Sequence, residues 1–282
     1  MHTVFEGMSP EYSGDTFLTF PERSEEMKPQ TRRIELLDEL RGFAILAMIV
    51  HHTFLDIGFV LGLDWGYNIF DNLCILQPVF WAIFIVISGI CSRLSRNTLK
   101  RGAIVFAAGL AVTLVTAVIM PKIGITGAEI YFGILSCLGA CMIITGLLMP
   151  LITKAKPIIG MIVSAVLFAF SYSISSGSLC FGLIKLPEIL YKSNWLMSLG
   201  MFSPSFESAD YFAIIPWLFM FLFGSFLGSW AKDGAFPAFT YKKHSKILSF
   251  IGKNSLWFYL AHQPVIYAIL YLVAYIIYMI YK

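Results

Sequence analysis

Seven stretches of about twenty apolar residues follow one another along this chain, and each is long enough to cross ~30 Å of hydrocarbon. They read as spans over 36–61, 69–94, 103–120, 130–151, 157–172, 210–230 and 248–281. Lipid offers the backbone no hydrogen bonds, so only helices or closed barrels cross it, and runs of this length specify helices. Charged residues make up 13% of the chain and apolar ones 58%; a soluble domain carries ~25% charged. The expected fold class is all-α: a polytopic membrane helix bundle of about seven transmembrane helices. The expected partner is the lipid bilayer, with no nucleic acid.

Residues 1–33 are polar and lack the apolar core of a cleavable signal. They are expected to form a flexible cytoplasmic tail, ahead of a single transmembrane domain over 34–282. Seven spans put the termini on opposite sides. With the amino terminus cytoplasmic, only Lys122, Lys185, Lys192 and Lys282 fall outside, and every other Lys and Arg falls inside. The five cysteines are scattered, with no paired or His/Cys spacing, so they read as packing residues and no metal is expected.

The first span carries charge where a membrane helix should carry none. Arg41 and His52 are eleven positions apart, roughly three turns, and lie almost on one line. Asp38 and Asp56 fall within about 60° of that line, while His51 points about 80° the other way. Asp56 follows His52 by four residues, a spacing that lets a carboxylate orient an imidazole. The last span repeats the pattern: Ser255, Tyr259 and His262 share a face, and Gln263 and a kinking Pro264 follow. Asp210 opens the sixth span at its outer end. Charge in hydrocarbon is costly, so these residues should face a cavity or each other. The bland reading is a satisfied polar seam between helices. A transporter or proton-coupled carrier is the functional alternative, but no internal repeat or matched pair of broken helices accompanies it.

The pattern resembles a known family. The opening 32–42 with His52 is similar to the start of the membrane acyltransferase superfamily, where an arginine and a histidine are separated by ten residues on the first helix. Phe84-Ile85-Val86-Ile87-Ser88-Gly89, Ser95 to Gly102, Phe132-Gly133-Ile134-Leu135, Ser208 to Phe212 leading to Pro216-Trp217, and Gly252 through His262-Gln263-Pro264 resemble its bacterial heparan-alpha-glucosaminide N-acetyltransferase-like branch. Relatives often carry histidine after Gly-Ile-Leu, where this chain has Ser136. The resemblance implies a multi-pass protein of the bacterial cytoplasmic (inner) membrane, with a homodimer as one assembly option. It implies transfer of an acetyl (acyl) group from cytoplasmic acetyl-CoA, the acyl donor, to an amine or hydroxyl of an extracytoplasmic sugar or glycan. It assigns the catalytic histidine role to His52.

In that chemistry His52 is base or acyl carrier, with Asp56 holding its ring, and Arg41 and Asp38 complete the catalytic set. Arg41 and the group Arg93, Arg96, Lys100 and Arg101 lie where the phosphates of a coenzyme A tail would arrive; for the basic group, topology determination alone is the plainer explanation. Asp210, Ser255, Tyr259, His262 and Gln263 are the expected acceptor-binding residues.

Overall fold

The computed structural model describes residues 33–282. Apart from Arg33, the expected amino-terminal tail lies outside the described residues. The helices are α1 (Glu35–Leu61), α2 (Asp64–Cys74), α3 (Gln77–Leu94), α4 (Thr98–Leu114), α5 (Met120–Lys122), α6 (Ile134–Ile152), α7 (Pro157–Ser171), α8 (Ile214–Lys232), α9 (Lys246–Lys253) and α10 (Ser255–Tyr281). A π-helical turn, Val115–Ile119, joins α4 to α5. Among the described residues, seven helical segments are long and apolar enough to cross a membrane: α1, α3, α4 with α5, α6, α7 with the short turn after it, α8 and α10. The protein is an all-α, polytopic membrane bundle.

Several boundaries differ from expectation, and four have a clear local reason. The second span was expected from residue 69; instead α2 ends at Cys74 and α3 begins at Gln77 with Pro78 in its first turn. Proline has no N–H, and the first turn is the one helical place that needs none. The third span begins earlier than expected because Asn97 caps it, its side chain accepting from the Lys100 N–H at 2.9 Å. The sixth span does not open at Asp210. Ile215 precedes a proline and is extended, so regular helix starts only there, and Ala209 and Phe212 donate to the Glu129 and Phe132 carbonyls. The last span is two helices, broken at Asn254, whose side chain donates back to the Phe250 carbonyl at 2.9 Å. Pro264 is held inside α10.

Close helix approach organises the bundle. α3 packs on α8, α4 on α6, α7 on α8, and α1 on α3, α9 and α10. Gly89 lies on the Phe221 carbonyl and Gly224 on that of Val86, with no room for a Cβ at either. Gly42 and Gly252 meet the Leu248 and Asp38 carbonyls in the same way. Lipid gives helices no hydrophobic reason to associate, so small residues that let backbones touch do much of the holding. Ile85, Phe132, Leu138, Phe212, Trp217 and Phe221 fill the centre. The acids of the first turns of α1 bind α9. Glu39 accepts from the N–H groups of His244 (2.6 Å) and Ser245 (2.9 Å), and Glu35 accepts from Ser249 Oγ (2.9 Å) and Lys253 Nζ. The Glu39 bonds satisfy the backbone N–H groups of the two residues that lead into α9. All five cysteines lie among the described residues and none forms a disulfide.

Candidate active site

Arg41 is the anchor of the basic end. Its guanidinium donates to Asp38 Oδ1 (3.1 Å) and the Gly252 carbonyl (3.3 Å), and reaches Cys91 Sγ at 2.9 Å. Asp38 is held in turn by Arg33 at 2.7 Å. The close contact of Gly42 with α9 brings the Gly252 carbonyl within reach of an α1 side chain. Arg41 faces a cavity of about 320 Å³. Its wall includes Arg41, Arg101, Lys253 and Asn254, together with Ser88, Leu135, Ser255 and Tyr259. Three cations and an amide around one mouth suit an anionic ligand with several phosphate oxygens.

Tyr259 lines this cavity and begins the second half of the site. Its hydroxyl donates to Asp210 Oδ2 at 2.9 Å, and the same oxygen accepts the Ile134 N–H at 3.1 Å. Asp210 therefore sits at the N-terminus of α6, where unpaired N–H groups and the helix dipole favour a carboxylate. Gly133 makes this possible, since a Cβ there would strike the carboxyl. Burial pushes the Asp210 pKa up, and the Ile134 and Tyr259 hydrogen bonds and the nearby His52 pull it partly back.

His52 and His262 close the site. Their rings lie 5.2 Å apart, centroid to centroid, and Tyr259 lies 5.4 Å from His262. His52 Nδ1 is 2.9 Å from the Met48 carbonyl, and His262 Nδ1 bonds the Tyr259 carbonyl. A carbonyl only accepts, so both Nδ1 atoms carry hydrogen; in a neutral ring so held, Nε2 is the acceptor. His52 is half-buried. His262 is 9% exposed, and its Nε2 has no hydrogen-bond partner among the described residues. Neither imidazole lines the Arg41 cavity; Tyr259 stands between.

Other expected members lie elsewhere. Asp56 does not hold His52: the Met48 carbonyl does, because His52 bonds back along its own helix. Asp56 is 1% exposed and faces Gln263 and Tyr267 of α10. One oxygen of Asp56 and the amide oxygen of Gln263 are buried without partners among the described residues. Of the four expected phosphate ligands only Arg101 reaches the cavity. Arg93 turns to Met149 Sδ at 3.3 Å, and Arg96 and Lys100 are exposed outside it. Lys253 takes their place, a residue that charge counting had used for topology alone. His51, on the far face of α1, packs against Phe70 of α2 at 4.3 Å.

A family model described as heparan-alpha-glucosaminide N-acetyltransferase, catalytic, matches residues 33–264. That span contains every residue of the site. No curated protein and no solved structure matches the chain.

Proposed function

The chain belongs to the heparan-alpha-glucosaminide N-acetyltransferase catalytic family, and from that premise we propose that it moves an acetyl group from cytoplasmic acetyl-CoA to an amine or hydroxyl of an extracytoplasmic sugar or glycan. The family makes it a membrane acyltransferase; donor, acceptor and residue roles are our reading. One observation carries that reading: Tyr259 lines a cation-rimmed cavity and stands 5.4 Å from the His262 ring, which lies 5.2 Å from that of His52.

Arg41, Arg101 and Lys253 bind the phosphates of the donor, and Asp38 keeps the Arg41 fork turned to them. From Arg41 to His52 is about 16 Å along α1, at 1.5 Å per residue. The donor's thioester arm spans this distance past Ser255 and Tyr259. The His52 Nε2 lone pair then either takes the acceptor's proton or receives the acetyl group itself. Asp210 and His262 line the acceptor side. The excess of Lys and Arg at the end carrying Arg41 and α9 supports a cytoplasmic amino terminus and a bacterial inner-membrane setting.

The test is to incubate the purified protein with radiolabelled acetyl-CoA and a panel of amino sugars and glycans. Label should enter an acceptor, or water if none fits, and His52→Ala should abolish it while eluting as wild type on size exclusion. Turnover by His52→Ala equal to wild type removes His52 from the chemistry; no turnover or hydrolysis by wild type removes the whole reading.

A further inference from the structure

Between α7 and α8 the chain forms a short hairpin whose side chains do not suit a loop in water. β1 (Ser178–Leu179) pairs antiparallel with β2 (Ile184–Lys185), and Ser178 stands opposite Lys185. The tip between them reads Cys180-Phe181-Gly182-Leu183. Phe181 is 69% exposed and Leu183 82%, with Ile184 exposed beside them. Cys180 and Phe181 both hold positive φ, 50° and 55°, a conformation that residues other than glycine adopt at a cost. A tip in water would relieve that strain with Gly, Asn or Asp and would carry polar groups.

The tip lies at bilayer depth. It packs back on α7, and the Phe181 ring is 6.1 Å from that of Tyr172, the residue after α7. α7 starts directly after Lys156 and has only 15 residues. From Lys156 to Tyr172 is about 24 Å along the axis at 1.5 Å per residue, short of the ~30 Å of hydrocarbon. The tip therefore fills the level where α7 stops. The exposed side of α7, with Ile159, Ile162, Val166 and Phe170, leads up to Tyr172 and so to Phe181. The hairpin also keeps its backbone bonded, as lipid requires: the Ser178 N–H donates to the Ser173 carbonyl (3.3 Å), Leu183 to Cys180 (3.3 Å) and Leu186 to Gly177 (2.9 Å). Lys185 stands at the base, where the chain goes on to Glu188 and Lys192.

We propose that this hairpin is a membrane-insertion element: Phe181, Leu183 and Ile184 sit among the acyl chains of the leaflet into which α7 ends, and Lys185 stays at the headgroups. The partner is lipid, because the exposed tip continues the side that α7 turns to hydrocarbon, and because its apolar end and its cation are separated along the hairpin as the boundary between lipid and water would separate them. The inference stands apart from the acetyltransferase reading, but it bears on the site. The segment from the hairpin to α8 is tied together by the Tyr191 hydroxyl on the Ile174 carbonyl and the Tyr211 hydroxyl on that of Met197. Tyr211 adjoins Asp210, so a hairpin fixed in lipid gives the stretch that delivers Asp210 an anchored end.

Photocrosslinking from the tip tests it. The full chain carries benzoylphenylalanine in place of Phe181, which it resembles in shape, or in place of Leu183 should the first protein fail to elute like wild type. It is reconstituted into dioleoylphosphatidylcholine nanodiscs and irradiated, and intact mass spectrometry reads the added mass of one phospholipid. The same probe at Val166, exposed on α7, and at Glu207, exposed in the same external segment, sets the two ends of the scale. We expect adduct at the tip within about threefold of that at 166 and about tenfold or more above that at 207, the factor that moving one apolar side chain out of water supplies. With the probe at 181, Leu183→Asp should lower the adduct about tenfold, because a charge at the tip draws it out of hydrocarbon. Adduct at the level of 207 overturns the proposal. Crosslinking to a second copy of the chain in place of lipid overturns it too, since the tip then has a protein partner. Adduct at 181 unchanged by Leu183→Asp overturns insertion of the tip and leaves only Phe181 lying on α7.

Discussion

Tyr259 donates to Asp210 across 2.9 Å, and this bond joins the two halves of the site. The phenol lines the cavity reached from the Arg41 end, and the carboxyl caps α6 at the opposite end. Removing the hydroxyl should therefore hurt more than its place on the wall suggests. Tyr259→Phe leaves Asp210 with one donor fewer in a buried setting, at about 1–3 kcal/mol. We expect kcat to fall about tenfold or more with KM for acetyl-CoA little changed; a variant with wild-type kcat would show the bond to be incidental.

Asp210 should also leave a pH signature on stability. Its pKa is raised by burial, so the folded state binds that proton more tightly than the unfolded chain. Its contribution is therefore most favourable at low pH. It is lost as pH climbs from the ordinary carboxylate value through the raised one. The melting temperature of wild type minus that of Asp210→Asn should fall across that rise. A difference that stays constant from about pH 4 to 8 contradicts the raised pKa.

The basic residues separate into two groups by position. Arg101→Ala and Lys253→Ala should each raise KM for acetyl-CoA about tenfold, since hydrogen bonds to charged groups contribute about 1.5–3 kcal/mol. Arg96→Ala and Lys100→Ala, outside the cavity, should leave KM unchanged. Arg41→Lys keeps the charge but cannot hold Asp38, the Gly252 carbonyl and Cys91 together, so it should behave as the first group does. Equal effects from Arg96 and Arg101 would place the donor elsewhere.

Asp56→Asn should be mild. His52 takes its orientation from Met48 and not from Asp56, so activity should stay within about threefold, under ~1 kcal/mol. A collapse to the level of His52→Ala would mean that the acid acts on His52 after all.

Gly252→Ala probes the scaffold beneath Arg41. A methyl there meets the Asp38 carbonyl, and α9 must move away, carrying the Gly252 carbonyl from Arg41. Overpacking of this kind costs about 1–3 kcal/mol, read as a lower melting temperature in detergent together with a higher KM for acetyl-CoA. An unchanged melting temperature would show that α9 yields freely.

Much of this protein is determined by its sequence alone. Apolar runs of span length can only be helices in lipid, so the seven crossings follow from hydropathy. The helical period places Arg41 in line with His52 and puts Tyr259 on a face with His262, because residues three, four and eleven apart share a side whatever surrounds them. Tertiary structure decided the partners. Spacing offered Asp56 to His52, but a nearer backbone carbonyl was available, and the acid turned to α10. Spacing also gave no means of knowing that Asp210, on an extended segment rather than a helix, would meet Tyr259 across 49 positions, or that Lys253 and not Arg93 would face the cavity. Periodicity assigns a residue to a face of its own helix; which helix lies opposite is set by close backbone contacts such as Gly42 on α9 and Gly89 on α8, and those exist only once the chain has packed.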